Sequence, residues 1–415
     1  MRFKLTYYKF LLVLIISLSM VYCTEPYQLQ TETYEDAIVI EATITNELKK
    51  QQIKISKTYM LEENGPVFET GANVYVQDDT GNRYEFSEQN NLYESTTEFQ
   101  AVPGKQYQLF ITTSDGREYI STPETLTTIT EIESLSTNVT TKEGQTGVEI
   151  SVNSYDPTGT SKFYRYEYEE TSKITVPKWS PFKTVLLPHP RICPGTSFPG
   201  FETIGFQLRP TETHVCYTTK TSNELFLTST NTYNEDRVVN FPVRFISNTD
   251  YTIAERYSIM VRQYVQSFEA YTFYKTLKEI SGSGNILSPN QPGFFYGNLK
   301  SVTNPKEKVI GFFEVAAVTS KRIFFNFNDI FPNTHAPAYP VNCEEYEFDS
   351  MYFGDPPYSP EFPCGYGGPG LELRSAIAQK RLIFYKEAFP IFIMVKPVCG
   401  DCSTFSSNVI PPFWQ

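Results

Sequence analysis

The sequence predicts a mainly β protein, with an N-terminal immunoglobulin-like or transthyretin-like sandwich followed by a larger β-rich domain that carries one amphipathic helix and long Pro-rich loops. Three observations carry this. The aromatic residues are 29 Tyr and 32 Phe against 2 Trp, and together with abundant Thr and Val they suit half-buried pleated surfaces. From Ala37 to Thr122 apolar residues recur at period two between turn signals, the pattern of a sandwich. A chain of 415 residues, 40% apolar and 20% charged, is longer than one core usually holds and too apolar for disorder.

The first 22 residues read as a leader. Arg2, Lys4 and Lys9 precede an uncharged apolar run from Phe10 to Val21, about half the length of a membrane span, which favours a signal peptide over a transmembrane helix. Cys23, followed by Thr24, Glu25 and Pro26, ends the run in a way that resembles the lipobox of bacterial lipoproteins. That resemblance implies palmitate-type acylation of Cys23, an outer-membrane anchor, and residues 23–36 as a tether. Acyl chains contribute about 0.8 kcal/mol per buried methylene, so several chains on one Cys hold a folded domain on a membrane.

The sandwich is expected over residues 37–128. Ile38, Ile40, Ala42 and Ile44 alternate with outward residues, then Ile53 and Ile55, then Val74 and Val76. The turn from Asp78 to Gly81 leads into Tyr84 and Phe86, Leu92 and Tyr93 make a short strand, Tyr107, Leu109 and Ile111 another, and Tyr119 closes the set. A polar stretch from Pro123 to Gly147 reads as a linker, and a second domain is expected over 129–415, beginning with strands at Val148 to Val152 and Phe163 to Glu169.

Prolines then interrupt the pattern. Six lie between Pro177 and Pro199 and seven between Pro332 and Pro363, which predicts two long loops. Loops of this kind often carry function, and Trp179, Phe182, Phe198, Tyr339, Tyr352, Phe353 and Tyr358 are the aromatic candidates for partner binding. The competing reading is that these rings roof the second domain's own core. One helix is expected over 267–281, capped by Ser267, with Phe268, Tyr271, Tyr274, Leu277 and Ile280 as its apolar stripe packed on a sheet.

Besides Cys23 the chain has Cys193, Cys216, Cys343, Cys364, Cys399 and Cys402. In an exported protein an even number points to disulfides, although six cysteines allow 15 connectivities. Spacing favours Cys193 with Cys216 and Cys343 with Cys364, each closing an irregular segment. Cys399-Gly-Asp-Cys402 has the spacing of a redox dithiol or half a zinc site, but it follows an apolar run and opens no βαβ helix, so a structural disulfide is expected there.

The stretches Arg256 to Tyr264 and Glu269 to Leu277, then Gly297-Asn298-Leu299, Val309 to Phe313 and Thr319 to Ile323, with Cys399-Gly-Asp-Cys402 and the closing Pro412-Phe413-Trp414, resemble the domain-of-unknown-function-4249 lipoproteins of Bacteroidota. The resemblance implies an outer-membrane lipoprotein facing the cell exterior, commonly encoded beside a TonB-dependent receptor. It implies no reaction.

The residues exclude some chemistry and leave other classes open. The net charge is −12, and without the three basic leader residues the balance is 32 basic to 47 acidic, or −15, which disfavours nucleic acid as a partner. His189, His214 and His335 stand singly, and no nucleophile elbow, zincin motif or phosphate loop is present, so neither catalytic residues nor metal ligands are assigned and no cofactor is expected. The acidic run Glu344, Glu345, Glu347 and Asp349 alternates with Tyr346 and Phe348 as a solvated strand face does. The expectation is a non-catalytic accessory or binding partner of a TonB-dependent transporter in nutrient uptake, with its small-molecule or peptide ligand unassigned. A structural or adhesive surface protein is the alternative, and a surface hydrolase ranks below both.

Overall fold

The computed structural model describes residues 37–58, 65–187, 203–282, 296–349 and 371–414. Cys23, Cys193, Phe198, Tyr352, Phe353, Tyr358 and Cys364 lie outside the described residues. The fold is mainly β, as expected, with few helices.

Seven N-terminal strands appear where period two placed them, β1 (Ile38–Thr45), β2 (Gln52–Lys57), β4 (Asn73–Asp78), β5 (Arg83–Gln89), β6 (Leu92–Ser95), β7 (Gln106–Thr112) and β8 (Glu118–Ser121), and two short ones, β3 (Val67–Phe68) and β9 (Glu124–Thr125), were not expected. Their inward residues, among them Ile40, Ile53, Val76, Tyr107 and Tyr119, form one core. Alternation is the cause: on β1 Ile38, Ile40, Ala42 and Ile44 are buried while Val39, Glu41 and Thr43 turn the other way.

The stretch read as a linker holds a strand, β10 (Ile132–Lys142), paired along its length with β11 (Gln145–Asp156). Its Thr and Ser residues read as linker because neither face of β10 is strongly apolar, yet hairpin pairing to β11 orders it. Next come β12 (Phe163–Thr175), β13 (Phe182–Leu187), β14 (Thr203–Leu208), β15 (Val215–Thr221), β16 (Phe226–Ser229), β17 (Asp236–Ser247) and β18 (Arg256–Val265). The helix α1 (Phe268–Gly282), β19 (Leu299–Ser301) and β20 (Val309–Asn326) follow. The three-stranded sheet β10-β11-β17 covers one face of β12, β18 and β20, with Val148, Ile150, Tyr164, Tyr166, Ile259 and Val261 buried between them.

The strand β20 joins the two cores. Its first half, Val309 to Ala316, runs parallel to β1, and its second half, Ala317 to Asn326, runs antiparallel to β18. One sheet therefore continues from β15 through β12, β18, β20 and β1 into the N-terminal strands, ending at β19, which pairs with β8. Leu299, Val309, Phe313 and Val315 are buried in the N-terminal core. Asn298 closes the roll by side-chain mimicry of a β ladder: its Oδ1 accepts from the Phe313 amide at 2.8 Å and its Nδ2 donates to the Phe313 carbonyl at 2.9 Å.

The remaining elements are α2 (Phe327–Ile330), β21 (Tyr346–Asp349), α3 (Leu371–Ala378), β22 (Ile383–Ala388), β23 (Ile391–Val395) and α4 (Pro397–Gly400). The strands β21, β23 and β22 form a small sheet whose core, Leu373, Phe384, Phe392 and Met394, also takes Ile204 of β14. Both Pro-rich stretches thus contain regular structure, correcting the expectation of long loops. The segment Phe182–Leu187 pairs with β14 and Tyr346–Asp349 with β23, because the prolines flank these runs rather than enter them. The helix α3 was not expected either.

Candidate ligand-binding groove

Four of the predicted cysteines are bonded, in pairs that spacing did not favour. Cys216 bonds Cys402 and Cys343 bonds Cys399, so Cys216 is not joined to Cys193, Cys343 is not joined to Cys364, and Cys399 and Cys402 are not joined to each other. The reason lies in the local turns. Cys399 belongs to α4 and Cys402 opens the 3-10 turn Cys402–Thr404, while Asp401 between them is held by Arg209 at 2.6 Å, and each thiol meets a different neighbour. With sequence separations of 186 and 56, the two bonds are worth roughly 5 and 4 kcal/mol in the loop-entropy model.

The described aromatic candidates divide. Trp179 and Tyr339 pack on a satellite core of Val176, Cys216 and Cys402. Trp179 stacks on His214 with centroids 5.3 Å apart, and the Tyr339 hydroxyl donates to the Val398 carbonyl at 2.7 Å. Phe182 on β13 is 42% exposed. The structure does not gather these three into one surface feature. The acidic run is engaged locally: Glu345 pairs with Lys178 and Lys386, and Glu344 accepts from Asn342 and Tyr346. Among the described residues no three potential metal ligands lie together.

The site that the geometry builds lies elsewhere, where the two cores meet. A groove of about 1150 Å³ runs between the outward face of β1, the residues Lys49 to Lys54, the strands β12 and β18, and α1. Alternation builds it. While Val309, Phe313 and Val315 of β20 enter the N-terminal core, Phe312 turns outward against Phe273 of α1, their centroids 5.7 Å apart. Ser267 caps α1 by accepting from the Ala270 amide at 3.1 Å, as expected; of the expected stripe Tyr271, Tyr274, Leu277 and Ile280 are half-buried while Phe268 is 59% exposed, and the fully buried residues of the helix are Ala270 and Phe273. The helix therefore packs on the sheet and, through Phe273, Tyr274, Leu277 and Lys278, also lines the groove.

A chain of charged and hydroxyl groups crosses the groove floor. Arg165 of β12 is its centre, its side chain only 6% exposed. Its Nη1 donates to Glu167 and its Nη2 to Glu314 at 3.1 Å, and its guanidinium lies 4.0 Å from the Tyr264 ring centroid and 4.9 Å from that of Tyr274. Glu314, 2% exposed, also accepts from Gln266 at 2.9 Å. The Tyr264 hydroxyl donates to Glu167 at 2.9 Å, and Arg262, whose guanidinium lies 5.7 Å from the centroid of that ring, donates to Glu47, which also pairs with Lys49 at 2.7 Å.

These contacts fix the charge states. Burial opposes the charge on Arg165, but Glu314, Tyr274 and Glu167 outweigh it and hold the guanidinium protonated well above its ordinary range. Burial, reinforced by Glu314, pushes the Tyr274 hydroxyl up to about 12, and burial with Glu167 raises Tyr264 as well. At Glu47 burial is overcome by Lys49 and Arg262, which lower its pKa.

Sequence reading missed this network, although one signal was present. Glu314 interrupts the run Gly311-Phe312-Phe313-Glu314-Val315-Ala316, and a carboxylate inside an apolar run is rarely tolerated without a buried cation. The partner, 149 residues away in sequence, is not visible from the run itself.

A family model described as a domain of unknown function, DUF4249, matches residues 24–322. No curated protein matches the chain. Among solved structures, the native conformation of E. coli alpha-2-macroglobulin seen by cryo-EM aligns with 77% of this chain at 8% identity and a TM-score of 0.17, and the chain spans 15% of that protein's length.

Proposed function

The chain belongs to the DUF4249 family, and from that membership we propose that it is a non-catalytic binding partner of a TonB-dependent transporter in nutrient uptake. In this reading a lipid on Cys23 anchors it to the outer membrane of a Bacteroidota cell, with the groove presented to the exterior. The observation that carries the binding role is the groove of about 1150 Å³ with its internally paired floor. The short apolar run ending at Cys23 supports the anchor, and the family resemblance supports the transporter partner.

Affinity isolation of the native lipoprotein from outer membranes tests the proposal. A TonB-dependent receptor is expected to co-purify, and Cys23→Ser is expected to move the chain to the soluble fraction. A Cys23→Ser chain that remains pelleted after carbonate washing overturns the anchor. An anchored chain that brings no receptor overturns the transporter role and favours an adhesive one.

A further inference from the structure

Apart from the groove, we propose that two copies of this chain pair through β10, each adding that strand as an antiparallel neighbour to the three-stranded sheet of the other. β10 bonds β11 along one edge, and the loop between them is the two-residue turn Glu143-Gly144, with positive φ at both positions. Such a turn makes Lys142 and Gln145 a hydrogen-bonded pair, so the backbone groups of Leu135, Thr137, Val139 and Thr141 point away from β11. Among the described residues none of these backbone groups meets a partner. Capping reaches the start of the strand, where Lys321 of β20 donates to the carbonyls of Ile132 at 3.3 Å and Glu133 at 2.7 Å.

Charges, prolines and bulges are what keep an exposed strand edge from pairing. The other open strands around the second core carry them. β17 shifts register twice against β11 and contains Arg237, Pro242 and Arg244, and the far half of β20 contains Lys321 and Arg322. β15 is bridged by the segment around Ser407, whose carbonyl accepts from the Tyr217 amide at 2.8 Å. β10 from Ser134 to Thr141 has none of these devices: Ser-Leu-Ser-Thr-Asn-Val-Thr-Thr is uncharged, free of Gly and Pro, and rich in β-branched residues. Its inward face is also unfinished, because Val139 lies opposite the fully buried Val148 and yet is 53% exposed. A second copy completes it. A two-fold axis perpendicular to the sheet, passing between the two copies of Thr137, sets each Leu135 against the other copy's Val139 and Thr137 against Thr137. These are residues whose backbone groups are free, and all lie on the inward face. On the outer face Ser134 meets Thr140 and Ser136 meets Asn138. No like charges stand opposite one another across this seam, which matters on a chain of net charge −12.

The test is analytical sedimentation of the soluble Cys23→Ser chain over a concentration series. A dimer is expected, and Val139→Pro is expected to sediment as a monomer. Proline there removes an amide that points away from β11, so the ladder within the chain keeps its bonds and the thermal melt is expected to stay in place. If Val139→Pro does not fold, Val139→Lys takes its place, since lysine is a charge that natural edges use against pairing. Val239→Lys, on β17 at a position 63% exposed, is the control and is expected to leave the dimer whole. A chain that is monomeric at every concentration, or a dimer that survives the Val139 variants, overturns the proposal. A monomeric chain whose receptor co-purification is lost in Val139→Pro also overturns it, because the edge then pairs with the receptor. The groove plays no part in these outcomes, so the dimer and the transporter role fail separately.

Discussion

At the scale of single residues, buried carboxylates fix the turns of both sandwiches by the same device. Asp78 and Asp156 each end a strand and are followed two residues later by Thr and then Gly. Each accepts the amide and hydroxyl of that Thr, and Gly81 and Gly159 take positive φ. Asp156 further accepts the amides of Thr160 and Ser161, both at 3.0 Å. Burial alone would raise its pKa, but these bonds outweigh burial and hold it well below the ordinary 3.8. A carboxyl whose pKa is depressed by folding contributes stability that is fully present above its unfolded value and is lost as pH falls through the folded one. The protein is therefore expected to lose this contribution progressively below about pH 4. Asp156→Asn is expected to cost about 2–4 kcal/mol at neutral pH in urea unfolding and to flatten the acid limb. An unchanged acid limb in the variant would place the pH dependence in other carboxylates. The Asp-x-Thr-Gly pattern of these turns is legible in sequence, whereas the Arg165–Glu314 pair is not, because period and spacing carry no information about which strands meet.

At the scale of elements, β20 is the least legible strand and the most consequential. Its run Val309 to Val318 is apolar on both faces except at Glu314, which marks a buried strand, but nothing local says that one half serves each core. The N-terminal strands were legible because each buries one face only, and alternation survives in their sequence. The entry of β20 depends on Gly311, which pairs with Ile40 at φ +148°, and a Cβ there would lie 2.1 Å from the Ile40 carbonyl oxygen. Gly311→Ala must strain the backbone and part β1 from β20, and is expected to cost about 2–5 kcal/mol. Gly159→Ala is the control, since its φ is +69° but no atom lies within 4 Å of the added Cβ; about 1 kcal/mol is expected. Equal losses in urea unfolding would show that conformational strain, not the close approach of β1 and β20, governs position 311.

At the scale of the molecule, the two cores share a sheet, and this decides whether the N-terminal sandwich is autonomous. Residues 37–128 contain all the strands that alternation reveals, yet the same core buries Leu299, Val309, Phe313 and Val315 from the far half of the chain. Burying each such side chain is worth about 1.5–3 kcal/mol, so their loss removes roughly 6–12 kcal/mol. The net stability of a whole domain is only about 5–15 kcal/mol. Excision also strips β1 of its parallel neighbour and β8 of β19, leaving two open edges of the kind that promote aggregation. A fragment of residues 37–128 is thus expected to show no cooperative melt and to aggregate, and a peptide of residues 296–318 added in trans is expected to restore a dispersed amide NMR spectrum. If the fragment alone melts cooperatively, the strands from the second half only decorate the sandwich. The groove at the junction would then rest on two bodies able to move apart, instead of on one continuous sheet.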